Sequence, residues 1–230
     1  MSDSIIVARP QGQPQQLMLL FHGVGASADD MLPLGRALSE EFPDAFVVSV
    51  AAPADSGAQG GREWFSVRDI DEQNRPARVD AALPVFIETV RDWQRQAGVD
   101  TDAVALIGFS QGGIMALEAT REQPAIAGRV VSIGGRFAQL PAAPNAGTTL
   151  HLVHGKLDPV IPYGFTVEAA QHLVAIGGDV TADVIPFVGH QINDDVATLL
   201  IERLRGHLPR RTWEAALQAA RAGDARAEED

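Results

Sequence analysis

The 230-residue sequence predicts a single α/β domain, with a mostly parallel central sheet covered by helices on both faces. Three observations carry that expectation. Short apolar runs alternate with amphipathic stretches along most of the chain. Several runs are continuously apolar, as strands buried on both faces are, and do not alternate with polar residues. Each such run leads through a glycine or polar loop into a helical pattern, the connection parallel strands require.

Leu17–Phe21 (LMLLF) reads as the first strand, and Asp29–Glu41 follows with Met31, Leu34 and Leu38 at helical spacing. Phe46–Val50 (FVVSV) is β-branched and strand-like. Val79–Ala97 places Val79, Leu83, Phe86, Ile87, Val90 and Trp93 on one helix face and stops at Gly98. Val104–Ile107 is the next strand, followed by Gly108–Gly112 and then a helical stretch to about Arg121, bounded by Pro124. Val130–Ile133, Leu150–Val153 and Val180–Ile185 read as strands, Tyr163–Ile176 and Ile192–Leu208 as helices. A last helix, roughly Thr212–Arg221, is expected to dock through Trp213 and Leu217. The domain is therefore drawn at residues 1–221, with Ala222–Asp230 as an acidic, frayed tail. Ala51–Arg78 is the longest irregular segment, of the kind that often serves binding.

Composition narrows the function. Thirty acidic against 18 basic residues give a net charge of −12, which repels phosphate backbones and argues against nucleic acid as a partner. No apolar stretch approaches the roughly 20 residues a membrane span needs, so stable membrane insertion is not expected. The first residues show no basic region ahead of an apolar run, so no secretory signal is expected. The absence of cysteine removes disulfides and thiolate chemistry and fits a cytoplasmic home. No His-x-x-x-His spacing or carboxylate cluster suggests a metal, and no cofactor is expected. Chemistry must then run on Ser, His, Asp, Glu or backbone groups.

Gly108-Phe109-Ser110-Gln111-Gly112 is a G-x-S-x-G sequence between a strand and a helix, the context of a nucleophile elbow. The turn strains its serine, and Gly108 and Gly112 leave room for it. A serine needs a base, and the base needs an orienting acid. Chain order, serine then acid then histidine as in other nucleophile-elbow enzymes, together with strand-end position selects both. Asp158 follows the strand Leu150–Val153 within His154-Gly155-Lys156-Leu157-Asp158-Pro159, and His190 follows Val180–Ile185 within Val188-Gly189-His190. The other histidines fit blander roles. His151 lies within a strand as a packed residue, and His172 and His207 are solvent-facing or locally satisfied. His22 and His154 shape loops by bonding backbone. Asp179 and Asp183 sit at or inside a strand, and Asp194 and Asp195 read as helix caps. Backbone N–H groups of Val24, in His22-Gly23-Val24-Gly25, and of Gln111 are the expected oxyanion donors.

Taken together, LLFHGVG (Leu19–Gly25), GREWFSV (Gly61–Val67), IGFSQGG (Ile107–Gly113), HGKLDPVIP (His154–Pro162) and VGH (Val188–His190) resemble the phospholipase/carboxylesterase family of α/β-hydrolases. The resemblance implies the α/β-hydrolase fold, Ser110 as nucleophile, Asp158 as acid, His190 as base, and the Trp64-Phe65 loop beside the cleft. The chain departs from the family at Val24-Gly25-Ala26-Ser27, where Leu and Gly-Asp are common. It departs again at Ser66-Val67, where W-F-D is common. Both departures touch the substrate side, so long-chain thioester specificity is not carried over.

No insertion is large enough for a cap domain, so the cleft should be open, with Trp64, Phe65, Val160 and Ile161 as candidate walls. Each buried methylene adds only about 0.8 kcal/mol, so short to medium acyl esters are the expected substrates. Acyl-protein thioesterase or lysophospholipase action on longer chains is the alternative. The partner is then a small acyl ester or thioester, and a homodimer is compatible with the sequence. Two other classes fit less well. Gly23-Val24-Gly25-Ala26-Ser27-Ala28 formally matches a dinucleotide fingerprint, but no acid ends the next strand. A catalytically silent fold would not need the full set of ordered residues.

Overall fold

A computed structural model describes residues 3–57 and 60–227. Its main sheet has seven strands: β1 (Ile5–Ala8), β2 (Gln16–Phe21), β3 (Ala45–Val50), β6 (Val104–Phe109), β7 (Arg129–Ile133), β8 (Thr149–Gly155) and β9 (Asp179–Ile185). Their spatial order is β1-β3-β2-β6-β7-β8-β9, parallel except for β1, which runs antiparallel to β3. β4 (Ala54–Asp55) and β5 (Arg62–Glu63) form a separate small hairpin inside the long irregular segment. The order reverses between β2 and β6, so the loops leaving those two strands diverge there and open a crevice at their carboxyl ends.

Alternation within each strand sends successive side chains to opposite faces. Leu17, Leu19 and Phe21 join the core under α2 (Arg75–Ala97), α3 (Gln111–Glu118) and α4 (Gly164–Ala175). Met18 and Leu20 point the other way, into the core under α1 (Leu32–Glu41) and α5 (Asp194–Gly206). α2 begins one turn before the expected Val79, with Pro76 in its first turn, and ends as foreseen at Gly98 in the left-handed conformation (φ 66°).

Several sequence expectations shift. β1 was not foreseen; it is a four-residue edge strand, Ile-Ile-Val-Ala, whose short apolar run becomes a strand by pairing antiparallel with β3. The stretch Asp29–Glu41 divides into a tight 3-10 turn over Ala28–Met31 and the helix proper. The cap of α5 is Asn193, whose side chain accepts from Val196 N at 3.1 Å, while Asp194 and Asp195 occupy the first turn. α6 runs Arg210–Ala227, through six residues of the stretch expected to fray. Residues 228–230 lie outside the described part. Trp213 and Leu217 do not dock: they are 56% and 40% exposed, because α6 leaves the body after anchoring Arg210 to Asp179 and Gly177.

His151 lies fully buried in β8, with Nδ1 2.8 Å from Thr181 Oγ1 and Nε2 3.4 Å from Arg129 Nη1. Burial, then the Arg129 charge, push its pKa down to about 3 from the ordinary 6.5. The unfolded chain therefore binds a proton here that the native state refuses. Stability should fall as pH drops from about 6.5 towards 3, by roughly 2 kcal/mol at pH 5 from this group alone. Burial lowers His22 and His154 in the same direction. Urea unfolding across pH 5–7 checks this: His151→Gln should reduce the slope of stability against pH by about one proton.

Candidate active site

β6 delivers its last residue into a sharp turn. Ser110 adopts φ 52° and ψ −115°, a conformation that costs free energy in any L-residue, and α3 begins at once with Gln111. Two glycines make the turn possible by close approach of backbone. A Cβ on Gly108 would stand 2.3 Å from the carbonyl of Gly112, and one on Gly112 would stand 2.2 Å from Phe21 O. Neither obstacle is a movable side chain. Gly112→Ala should lower stability by about 3 kcal/mol or more, read as a fall in the chemical-denaturation midpoint.

Around Ser110 the ends of β8 and β9 bring in two further side chains. His190 Nε2 lies 2.9 Å from Ser110 Oγ, and His190 Nδ1 lies 2.6 Å from Asp158 Oδ2. Asp158 Oδ1 accepts from the Val160 and Ile161 backbone N–H groups at 2.8 and 2.9 Å. Burial opposes ionisation of Asp158, but the bond from His190 and the two backbone donors outweigh it and hold the carboxyl below its ordinary range. A carboxylate at Oδ2 requires the proton on His190 Nδ1, which leaves Nε2 free to accept from the serine hydroxyl. The loops are tied directly: Lys156 N donates to Ile185 O and Leu157 N to Val188 O. Gly155 permits this, since a Cβ there would meet Gly189 O at 2.4 Å.

The turn after β2 covers the other side of Ser110. A Cβ on Gly23 would lie 3.3 Å from Ser110 Cβ, so the Gly23-Val24 turn rests against the serine. Gly25 N donates to Arg62 O and Ala26 N to Gly23 O, whereas Val24 N has no backbone acceptor among the described residues. Gln111 is the first residue of α3, and its N–H has no helical acceptor either. His22 holds the turn as expected: Nδ1 donates to Gly23 O at 2.7 Å and Nε2 accepts from Ala52 N at 3.1 Å. Burial keeps this imidazole neutral by lowering its pKa.

The four candidate wall residues divide. Trp64 and Phe65 are buried and belong to the core; Trp64 packs on Phe21 and Phe86 and donates from Nε1 to His22 O at 2.9 Å. Each is only 5% exposed, so neither is the open wall expected of it. Val160 is 62% exposed and Ile161 half-buried, on the loop whose backbone binds Asp158. Phe187, at φ 64° and 91% exposed, stands three residues before His190.

Sequence reading missed three supporting groups. The Gln111 side chain accepts from Trp64 N at 2.8 Å and donates to Phe65 O at 2.6 Å, clamping the aromatic loop to the serine elbow. His154 Nε2 bonds Ile161 O at 2.8 Å, the backbone bond expected of it, but also lies 3.2 Å from Asp158 Oδ2. Gly134 lets the loop after β7 pass beside Asp158 and His190, for a Cβ there would lie 3.4 Å from both Asp158 Oδ2 and His190 Nδ1. These contacts join residues far apart in the chain, and only the spare glycine and the second histidine hinted at them. Among the described residues no group of three or more metal-ligating side chains gathers, and no helix is long and apolar enough to cross a membrane.

The sequence profile of the phospholipase/carboxylesterase family matches residues 2–208. The chain belongs to this family. Its fold is that of the α/β-hydrolases, and it is an ester hydrolase as the family is. Esterase YpfH of Escherichia coli is 46% identical over 222 residues, covering 96% of each chain. The crystal structure of esterase PE8 superposes with a TM-score of 0.80 at 28% identity, covering 90% of this chain and 99% of that one. A more distant relative, acyl-protein thioesterase 1 of Saccharomyces cerevisiae, is 26% identical over 174 residues, 68% of this chain and 76% of its own.

Proposed function

We propose that the chain is a serine carboxylesterase that works through a covalent acyl-enzyme formed on Ser110. The observation that carries this reading is the continuous line of hydrogen bonds from Asp158 through His190 to Ser110, on a strained serine beside two amides, of Val24 and Gln111, that have no backbone acceptor among the described residues. Ser110 Oγ attacks the acyl carbonyl carbon while its proton passes to His190 Nε2. The carbonyl oxygen, now an anion, is received by the Val24 and Gln111 N–H groups, reinforced by the start of α3. The C–O bond to the alcohol breaks as His190 returns the proton to the leaving oxygen. Water then repeats the sequence on the acyl-enzyme, giving the acid and free Ser110. Asp158 stays ionised throughout and stabilises the imidazolium formed in each half.

Short to medium acyl groups fit a site without a cap. A second reading, longer chains as in a thioesterase or lysophospholipase, has its own support in Leu157, Val160 and Phe187. These residues expose 61%, 62% and 91% of their surface around the Asp158 and His190 loops. Rates on p-nitrophenyl esters from acetate to palmitate, with matched thioesters, decide between the two.

A fluorophosphonate probe tests the chemistry itself. The expected result is one adduct, on the peptide containing Ser110, with loss of esterase activity in proportion. Labelling elsewhere, or none in a protein that still turns over ester, would overturn the assignment.

A further inference from the structure

The wall of the site formed by the loop after β7 holds charge that the proposed mechanism does not use. Among the described residues, three buried side-chain polar atoms lack a hydrogen-bond partner: Arg136 Nε, Arg75 Nε and Ser132 Oγ. They gather in one region. Ser132, one residue before the end of β7, lies against Gly135, Arg136 is two residues past Gly134, and Arg75 opens α2. Arg136 has only 8% of its side chain exposed, and its guanidinium lies 4.0 Å over the Phe165 ring. Phe165 precedes Thr166, which bonds His154, which in turn contacts Asp158. The arginine is therefore built into the same framework as the triad.

Its ion-pair partner is Glu72, through Nη2, and Glu72 is also 3.4 Å from Arg75 Nη2. Glu72 is 66% exposed and sits on the loop that leads into α2. Two guanidiniums thus share one solvent-facing carboxylate, each with a buried N–H unused. A guanidinium carries five donors, and leaving a buried N–H of each unmatched is costly unless something else receives it. A carboxylate ligand has the geometry to do so, binding Arg in a bidentate manner that a single tethered Glu72 does not satisfy here. Phe165 behind the plane keeps the fork fixed and partly dry.

We propose that Arg136, with Arg75, selects acyl esters whose acyl chain ends in a carboxylate, and that Glu72 occupies the anion position in the free enzyme. The inference rests on the esterase reading and names the class of ester. The competing role for these residues is a strap that pins the loop before α2 to the body. The two roles predict opposite behaviour on removing Glu72. A strap loses function from either end, whereas an anion site gains when its resident carboxylate is removed.

The test is the ratio of kcat/KM for mono-p-nitrophenyl adipate over p-nitrophenyl hexanoate, acyl chains of equal length that differ in the terminal carboxylate. Arg136→Gln should lower this ratio tenfold or more, and Arg136→Lys should restore part of it. Glu72→Gln should raise it, with the gain declining as salt is added. An Arg136→Gln ratio within twofold of wild type would overturn the proposal. So would equal losses on both esters in Arg136→Gln and Glu72→Gln. Should Arg136→Gln fail to fold, Glu72→Gln, altered at an exposed position, carries the test alone: an unchanged or lowered ratio would overturn the proposal. Turnover of the hexanoate ester by the wild type, and its loss in Ser110→Ala, reports on the esterase reading separately.

Discussion

Ser110→Ala is expected to lower kcat on p-nitrophenyl acetate by about 10⁴-fold or more, with little change in thermal stability. The two readouts separate because the side chain and the backbone of Ser110 do different work. Its N–H donates to Ile133 O and its carbonyl accepts from Ile114 N, bonds that alanine keeps. Alanine also meets the same cost at φ 52°, so the strain of the turn is unchanged. Only Oγ is lost, with its bond to His190, and no other hydroxyl is proposed for the attack. The amide pair and the cleft would still bind ester and polarise it, which leaves a residual rate above water. A variant retaining even a tenth of wild-type kcat would remove Ser110 from the chemistry.

Asp158→Asn is the second large effect, about 10⁴-fold in kcat at neutral pH, by a different route. The two backbone donors at Val160 and Ile161 select which end of the new amide faces them: its oxygen must take the place of Oδ1. The NH₂ then occupies the Oδ2 position and donates to His190 Nδ1. That forces the imidazole proton onto Nε2, which can no longer accept from Ser110. Steady-state rates at pH 7 to 8, with the fluorophosphonate labelling rate as a second readout, check it. Stability should respond to pH in a related way. The folded Asp158 carboxyl sits below its ordinary range, so its ionised form stabilises the native state above the ordinary carboxylate pKa. That contribution is lost as pH falls through the folded value, and the stability gap between Asp158→Asn and wild type should close in acid. Wild-type activity in the asparagine variant would mean that His190 is oriented by some other group.

His154 bears on both results. It lies within 3.2 Å of the same carboxylate oxygen that receives His190, yet burial holds it towards the neutral form. A neutral ring tied to Ile161 O and Thr166 Oγ1 steadies the loop without bringing a second cation to Asp158. The sequence suggested a loop-shaping residue, and the backbone bond fits that. Its nearness to Asp158 depends on β8 continuing through His154 and Gly155, two residues beyond the apolar run that marked the strand.

What could be read in advance was of two kinds. Hydrophobic period identified the sheet strands from β2 onward and the helices of both layers, because burial on a given face imposes a local repeat. Glycines around Ser110 marked the elbow, because a turn that tight excludes every side chain at Gly108 and Gly112, and the exclusion shows as residue type. The order of Ser110, Asp158 and His190, each just past a strand, named three side chains of which the structure has His190 within hydrogen-bond distance of the other two.

The remainder depends on partners distant in the chain, and a pairing of that kind leaves no periodic trace. β1 carries only the short apolar run Ile5–Ala8, and it is the open edge of β3 that makes a strand of it. The Gln111 side chain could have faced solvent; it clamps Trp64 and Phe65 only because the elbow and the aromatic loop converge. Nothing near Arg136 in sequence announces Glu72 or Phe165. Local sterics and burial were written into the chain itself, whereas each contact between loops was decided when the parallel sheet drew its strand ends to one edge.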